Sequence, residues 1–151
     1  MKLNYRLIEA TFIDRPNRFL TRVKLDGKVI ESHLPDPGRL KELLIPGVKV
    51  LIKEEIGEHR KTKYSTQAVY KDYKLISLNT LLPNKFVEFL INNQRIDFLT
   101  KWIIYKKEFI HGKSRFDFKL QNKNQFMYLE VKSVSLVENN IAYFPDAITE
   151  R

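Results

Sequence analysis

Residues 114–133 read SRFDFKLQNKNQFMYLEVKS. In the first part, Phe116 and Phe118 alternate with Arg115, Asp117 and Lys119, the period of two expected of a strand. In Met127–Ser133, Leu129 and Val131 alternate with Glu130 and Lys132. The polar run 122–124 between them predicts a turn, so the two strands are expected to pair. Pairing would bring Asp117, Glu130 and Lys132 to one surface. Two carboxylates at oxygen-ligand distance can hold a hard divalent cation together with water and a substrate phosphate. A lysine beside them can orient the water or stabilise developing negative charge. Half-exposed strands also carry such residues as plain ion pairs, and the E-x-K spacing does not separate the two readings.

Upstream, PNKFVEFLINN (83–93) predicts a helix, with Asn84 as its N-cap and Phe86, Val87, Phe89, Leu90 and Ile91 as a broad apolar side. QRIDFLTKW (94–102) either extends this helix or forms a short second one, and a strand follows at Ile103–Phe109. Glu88 on the helix has two readings: an outer ligand or water partner of the cation, or an exposed helical glutamate. The expected order is therefore helix–β–β–β, with a domain boundary near Asn79.

Residues 1–79 read differently. Short β-rich runs are expected at Tyr5–Asp14, Arg18–Leu25, Lys28–Leu34, Val48–Glu54, Tyr64–Tyr70 and Lys74–Leu78. Asp26-Gly27 marks a hairpin between the second and third. PDPGRLKELL (35–44) stops the third strand with two prolines and predicts one or two helical turns over Arg39–Leu44. Three strands, a short helix and further strands within some eighty residues is the order of an OB-type barrel, with an unrelated small β-barrel as the alternative.

The chain of 151 residues carries 27 Lys+Arg against 18 Asp+Glu, a formal charge of +9, which favours a polyanionic partner such as DNA or RNA. Arg15, Arg18 and Arg22 cluster with Phe12 and Phe19, so bases could stack on the rings while the arginines hold phosphates. The other reading places both phenylalanines in the barrel core. HRKTK (59–63) is either a phosphate-contacting loop, through Lys61 and Lys63, or simply solvated. Arg39 joins these cations as a candidate DNA contact. With no cysteine, disulfides, zinc-thiolate sites and thiol catalysis are excluded. His33, before Pro35, is a lone histidine of the barrel rim, a structural position more often than a ligand. His59 and His111 have no partner at metal-ligand spacing, and Asp146 is either a helix cap or a further site residue. The chain has no apolar run long enough to span a membrane and no recognisable leader, so the expectation is a cytoplasmic protein without membrane contact.

The succession D, a gap, then E-x-K on adjacent strands resembles a PD-(D/E)XK-type nuclease core. More closely, PNRFLTRVKLDG (16–27), HLPDPGRLKELL (33–44), LNTLLPNKFVEFLI (78–91), SRFDF (114–118) and YLEVKSVSLVENNIAYFPDAITER (128–151) resemble the sugar fermentation stimulation protein A family. The resemblance implies a mixed α+β fold: an OB-like barrel over 1–79, then a partial nuclease-like α/β domain over 80–151 whose C-terminal part is missing. It implies DNA binding, to double or single strands, and a link to the regulation of sugar, especially maltose, utilisation. By residue match Asp117, Glu130 and Lys132 take the catalytic positions, and Asp117, Glu130 and Glu88 the metal positions. Mg²⁺ or Mn²⁺ would be the cofactor of a phosphodiester-cleaving deoxyribonuclease. The family's chains continue past residue 151, so this copy is expected to be truncated or to cover its open sheet by homo-oligomerisation. The alternatives are a non-catalytic DNA-binding regulator with a vestigial nuclease core, and an OB module for RNA or single strands.

Overall fold

A computed structural model describes residues 1–57, 60–135, 137–138 and 141–144. His59, Asp146 and the helix start expected around Thr149 lie outside the described residues. The chain divides into two compact units, one over Lys2–Thr80 and one beginning at Leu81.

The first unit holds β1 (Ile8–Asn17), β2 (Leu20–Leu25), β3 (Lys28–His33), β4 (Lys49–Glu54), β5 (Tyr64–Lys71) and β6 (Lys74–Ser77). Strands β1, β2 and β3 form an antiparallel meander, β4 returns to pair with β1, and β5 pairs antiparallel with β4. The sheet closes where β3 meets β5 in parallel, Ser32 beside Tyr64 and His33 beside Ser65. A five-stranded barrel closed by a parallel β3–β5 pair is the OB arrangement, and β6 extends β5 as a hairpin.

Local chemistry explains the turns. Asp26 and Gly27 both adopt positive φ, at 48° and 81°, as a two-residue primed turn requires. Asp72 and Tyr73 make the equivalent β5–β6 turn at 48° and 63°, without a glycine. Inward residues alternate as the strand period demands: Ala10 and Phe12, Val50 and Ile52, with Val23 and Val69, form one buried core. Phe12 is therefore core, whereas Phe19 is exposed.

The helix expected over Arg39–Leu44 is a single turn. The amides of Leu43 and Leu44 both donate to the Leu40 carbonyl, at 3.1 and 2.8 Å, but Leu40 takes φ 49° and the chain turns again at Gly47. The leucines still do their packing work, since Leu40, Leu43 and Leu44 all join the barrel core.

The second unit begins with α1 (Leu82–Asn92), followed by one 3-10 turn at Asp97–Leu99. An antiparallel meander follows, of β7 (Ile103–His111), β8 (Ser114–Asn122) and β9 (Gln125–Leu129), and then a short hairpin of β10 (Val137–Glu138) and β11 (Ile141–Ala142). Helix residues Val87 and Ile91 pack with Leu99, Ile104, Phe118, Leu120, Met127 and Leu129 into a second core. The sheet carries a separate aromatic cluster too: the Lys119 ammonium lies 4.0 Å from the Phe126 ring centre and 4.5 Å from that of Phe109. Two expectations are corrected. Asn84 is not the N-cap: the helix starts at Leu82 with proline in its first turn and Leu81 before it, because proline's fixed φ suits that place. The last strand stops at Leu129, so Glu130–Lys132 lies just beyond its end rather than within it.

Candidate functional site

Strand β8 is central in its sheet and presents Asp117 half-buried near α1. The β8–β9 register sets Phe118 opposite Leu129, so Asp117 and Glu130 follow on from the last paired position. The Asp117 Oδ2 accepts the backbone N–H of Val131 at 2.7 Å, which fastens the middle of the E-x-K segment against the aspartate. Its other oxygen, Oδ1, accepts from Asn84 Nδ2 at 2.6 Å. Each carboxylate oxygen thus uses one hydrogen bond and keeps a second lone-pair direction.

The Lys132 ammonium pairs with the Glu130 carboxylate, and both side chains are about half exposed. Glu88 points elsewhere. Its two oxygens accept from Lys107 Nζ at 3.0 and 3.3 Å, so α1 offers a helix-to-strand ion pair there. The structure therefore brings Asp117 and the E-x-K segment together and holds Glu88 on a different partner. Among the described residues no group of three or more His, Cys, Asp and Glu is gathered as a ready cation cage. Carboxylate oxygens such as those of Asp117 and Glu130 are the ligand type that hard divalent cations take, with waters completing the set.

Asn84 is the site residue that sequence reading misplaced. A signal for it existed: Asn84 and Glu88 are four apart on α1 and so share a helix face.

The barrel unit carries a groove of 490 Å³ whose walls include Phe19, Leu20, Glu31, His33, Arg60 and Lys61. Arg18 lies over the Phe19 ring at 4.8 Å, pairing a cation with an exposed aromatic at the groove's wall. Lys61, Lys63 and Arg39 are exposed.

Arg15 has a different occupation from the phosphate contact expected of it. Its guanidinium donates to the carbonyls of Arg18, Asp36, Gly38 and Arg39 and so ties the PDPG loop to the end of β1. Burial lowers its pKa, partly offset by Asp36. Arg22 is held by both oxygens of Asp14, a bond that depresses the Asp14 pKa and raises that of Arg22.

Beside the groove, Glu55 bonds Ser65 and Lys53 and lies 3.9 Å from Arg60. Burial pushes its pKa up, but the hydrogen bonds from Ser65 and Lys53 and the charges of Lys53 and Arg60 outweigh that and leave it lowered.

A closed OB barrel followed by a unit of one helix and a second, antiparallel sheet defines a two-domain protein of mixed α+β build. Comparison with known proteins names the family. Residues 13–78 match the SfsA N-terminal OB domain and residues 81–151 the sugar fermentation stimulation protein RE domain. The chain belongs to the sugar fermentation stimulation protein family. It is 46% identical over 152 aligned residues to a sugar fermentation stimulation protein homolog of Clostridium botulinum, and 45% identical to that of Clostridium kluyveri. In each case all of this chain is covered and 66% of the relative, so the chain spans about two thirds of these proteins' length. The structure of Pyrococcus furiosus SfsA in complex with Ca²⁺ superposes with a TM-score of 0.88 at 28% identity, over 99% of this chain and 63% of that one. Among the described residues no helix is long and apolar enough to cross a membrane.

Proposed function

We propose that this chain binds DNA and holds a divalent cation, Mg²⁺ or Mn²⁺, between Asp117 and Glu130 as a phosphodiester-cleaving site. The observation that carries the reading is the Val131 amide bonded to Asp117, which packs the E-x-K segment against the one half-buried carboxylate of β8. The Pyrococcus furiosus relative was solved in complex with Ca²⁺, a cation of the same hard, oxygen-seeking kind. Such an ion, when bound, polarises a phosphate and lowers the pKa of coordinated water.

The protein's own residues supply the rest. Asp117, held by two hydrogen bonds, keeps a fixed position. Lys132, ion-paired with Glu130, carries an ammonium for the attacking water or the developing negative charge. The barrel's exposed cations, Arg18 beside Phe19 and Lys61 in the groove, with Lys63 and Arg39, would draw the polyanion in. The family's name connects the role to sugar fermentation, and control of sugar use, maltose included, is the physiological setting proposed.

One observation favours a second reading. Glu130 is already neutralised by Lys132, which suits a non-catalytic DNA-binding regulator. Incubating plasmid and single-stranded DNA with the protein and Mg²⁺ or Mn²⁺ decides between the two. The expected result is metal-dependent nicking that falls by at least about 100-fold in Asp117→Asn and in Lys132→Ala, with DNA binding retained. Tight binding with no cleavage in either metal would leave the regulator.

A further inference from the structure

The hydrogen bond between α1 and β8 says more about how a cation would be held. We infer that Asn84, rather than Glu88, gives α1's oxygen to the cation at Asp117, an assignment that rests on the metal reading proposed above. Three observations lead there. Asn84 Nδ2 stands 2.6 Å from Asp117 Oδ1, so the amide already occupies the space in front of that oxygen. Asn84 is half-buried, and its neighbour one turn along, Glu88, has both oxygens on Lys107. The second oxygen of Asp117 is engaged by the Val131 amide, so Oδ1 is the side that opens towards the helix.

The chemistry follows from the amide's two ends. An NH₂ group is the positive end of the amide dipole and suits a bare carboxylate. A cation on Asp117 Oδ1 would meet that positive end and repel it. A half-turn about the last side-chain bond exchanges nitrogen for oxygen with little change in shape, because that torsion is broad and nearly two-fold. The carbonyl oxygen then faces the ion, as amide oxygens do in hard-cation sites, where ligand distances are about 2.0–2.6 Å. Asn84 thereby has two settings: a donor to the empty aspartate and a ligand in the loaded site. Glu88 keeps its strand-pinning bond in both.

Terbium luminescence tests this on the full chain, because lifetimes in H₂O and D₂O count the waters directly on the bound ion. Asn84→Ala is expected to admit one additional inner-sphere water and to weaken terbium binding roughly 10- to 100-fold. Asn84→Asp, which keeps an oxygen at the same place, returns the water count to that of the native chain. Glu88→Gln leaves count and affinity unchanged. A weaker Asn84→Ala variant with an unaltered water count would show that Asn84 only positions Asp117, and would overturn the assignment. So would a water gained in Glu88→Gln. If the native chain takes up no terbium, or Asp117→Asn binds it as well as the native chain does, the metal reading itself fails, a result distinct from either. Far-UV circular dichroism of each variant keeps a folding defect from passing as a ligand effect.

Discussion

At the scale of single residues, Glu55 shows how a burial cost is turned around. Its side chain is 15% exposed, which alone would favour the neutral acid, yet Ser65, Lys53 and Arg60 hold the anion. A carboxylate whose folded pKa lies below its unfolded value adds stability above the ordinary value of 4.5, and that stability is lost as the pH falls through the lowered folded value. Glu55→Gln is therefore expected to cost about 1–3 kcal/mol at neutral pH, in the range of charge-assisted hydrogen bonds. The native chain and the variant should converge in urea unfolding as the pH drops from about 5 to 3. A difference that persisted at pH 3 would mean that Glu55 acts through packing rather than charge. The same contrast between charge and placement limits what the sequence told about the site. The nearness of Asp117 to the E-x-K segment was legible because the turn at 122–124 folds the two runs back on each other, although the segment lies past the end of β9 and meets Asp117 through the Val131 amide. Arg15 was not: the carbonyls it caps lie between 3 and 24 residues away, and no local pattern distinguishes a staple from a phosphate contact.

Elements were read better where a turn or a period dictates them than where tertiary packing does. Asp26-Gly27 announces its hairpin, and the alternation of β1, β2, β4 and β5 announces a barrel wall. The element order pointed to a barrel but not to the residues that close it, since the parallel β3–β5 pair joins residues about thirty apart. The Leu40–Leu44 segment takes the shorter of the one or two turns expected, and its leucines satisfy the core without a longer helix. Buried hydroxyls strengthen the same seam. Thr66 Oγ1 lies 2.8 Å from Thr21 Oγ1 and donates to Ser32 Oγ at 2.9 Å, joining β2, β3 and β5 in a place where unpaired polar groups would be costly. The β5–β6 hairpin carries a different cost. Tyr73 sits at φ 63° and is fully exposed, so it gains no burial to offset a left-handed backbone that costs a side-chain-bearing residue about 1–2 kcal/mol. Tyr73→Gly should therefore raise stability by about 1 kcal/mol in thermal or urea unfolding, whereas the same change at a negative-φ strand position would lower it. A Tyr73→Gly variant less stable than the native chain would show that the ring makes a compensating contact.

At the scale of the whole molecule, the charge of +9 acts only through cations that are free to meet phosphates. Total charge was plain from the sequence; its disposition was not, because ion pairing is set by the fold. Arg22 is spent on Asp14, Lys49 on Glu9, Lys107 on Glu88 and Arg115 on Glu108. Arg18 instead lies over the exposed Phe19 ring, and Lys61 lines the groove. The slope of log K against log salt separates the two groups, because it counts the phosphates neutralised rather than the affinity alone, at about 0.7 per contact for single strands and 0.9 for duplex. Arg18→Ala and Lys61→Ala are each expected to make the slope shallower by about one unit, in anisotropy titrations of a labelled oligonucleotide from about 50 to 200 mM salt. Arg22→Ala should leave the slope near its native value, since it removes a cation already neutralised within the barrel. The single-strand and duplex slopes, read on the same oligonucleotide, further distinguish a groove that stacks unpaired bases from a surface that tracks a double helix. If Arg22→Ala flattened the slope while Lys61→Ala did not, the groove would not be the nucleic-acid surface, and the binding face would have to be sought along the β1–β2 hairpin instead.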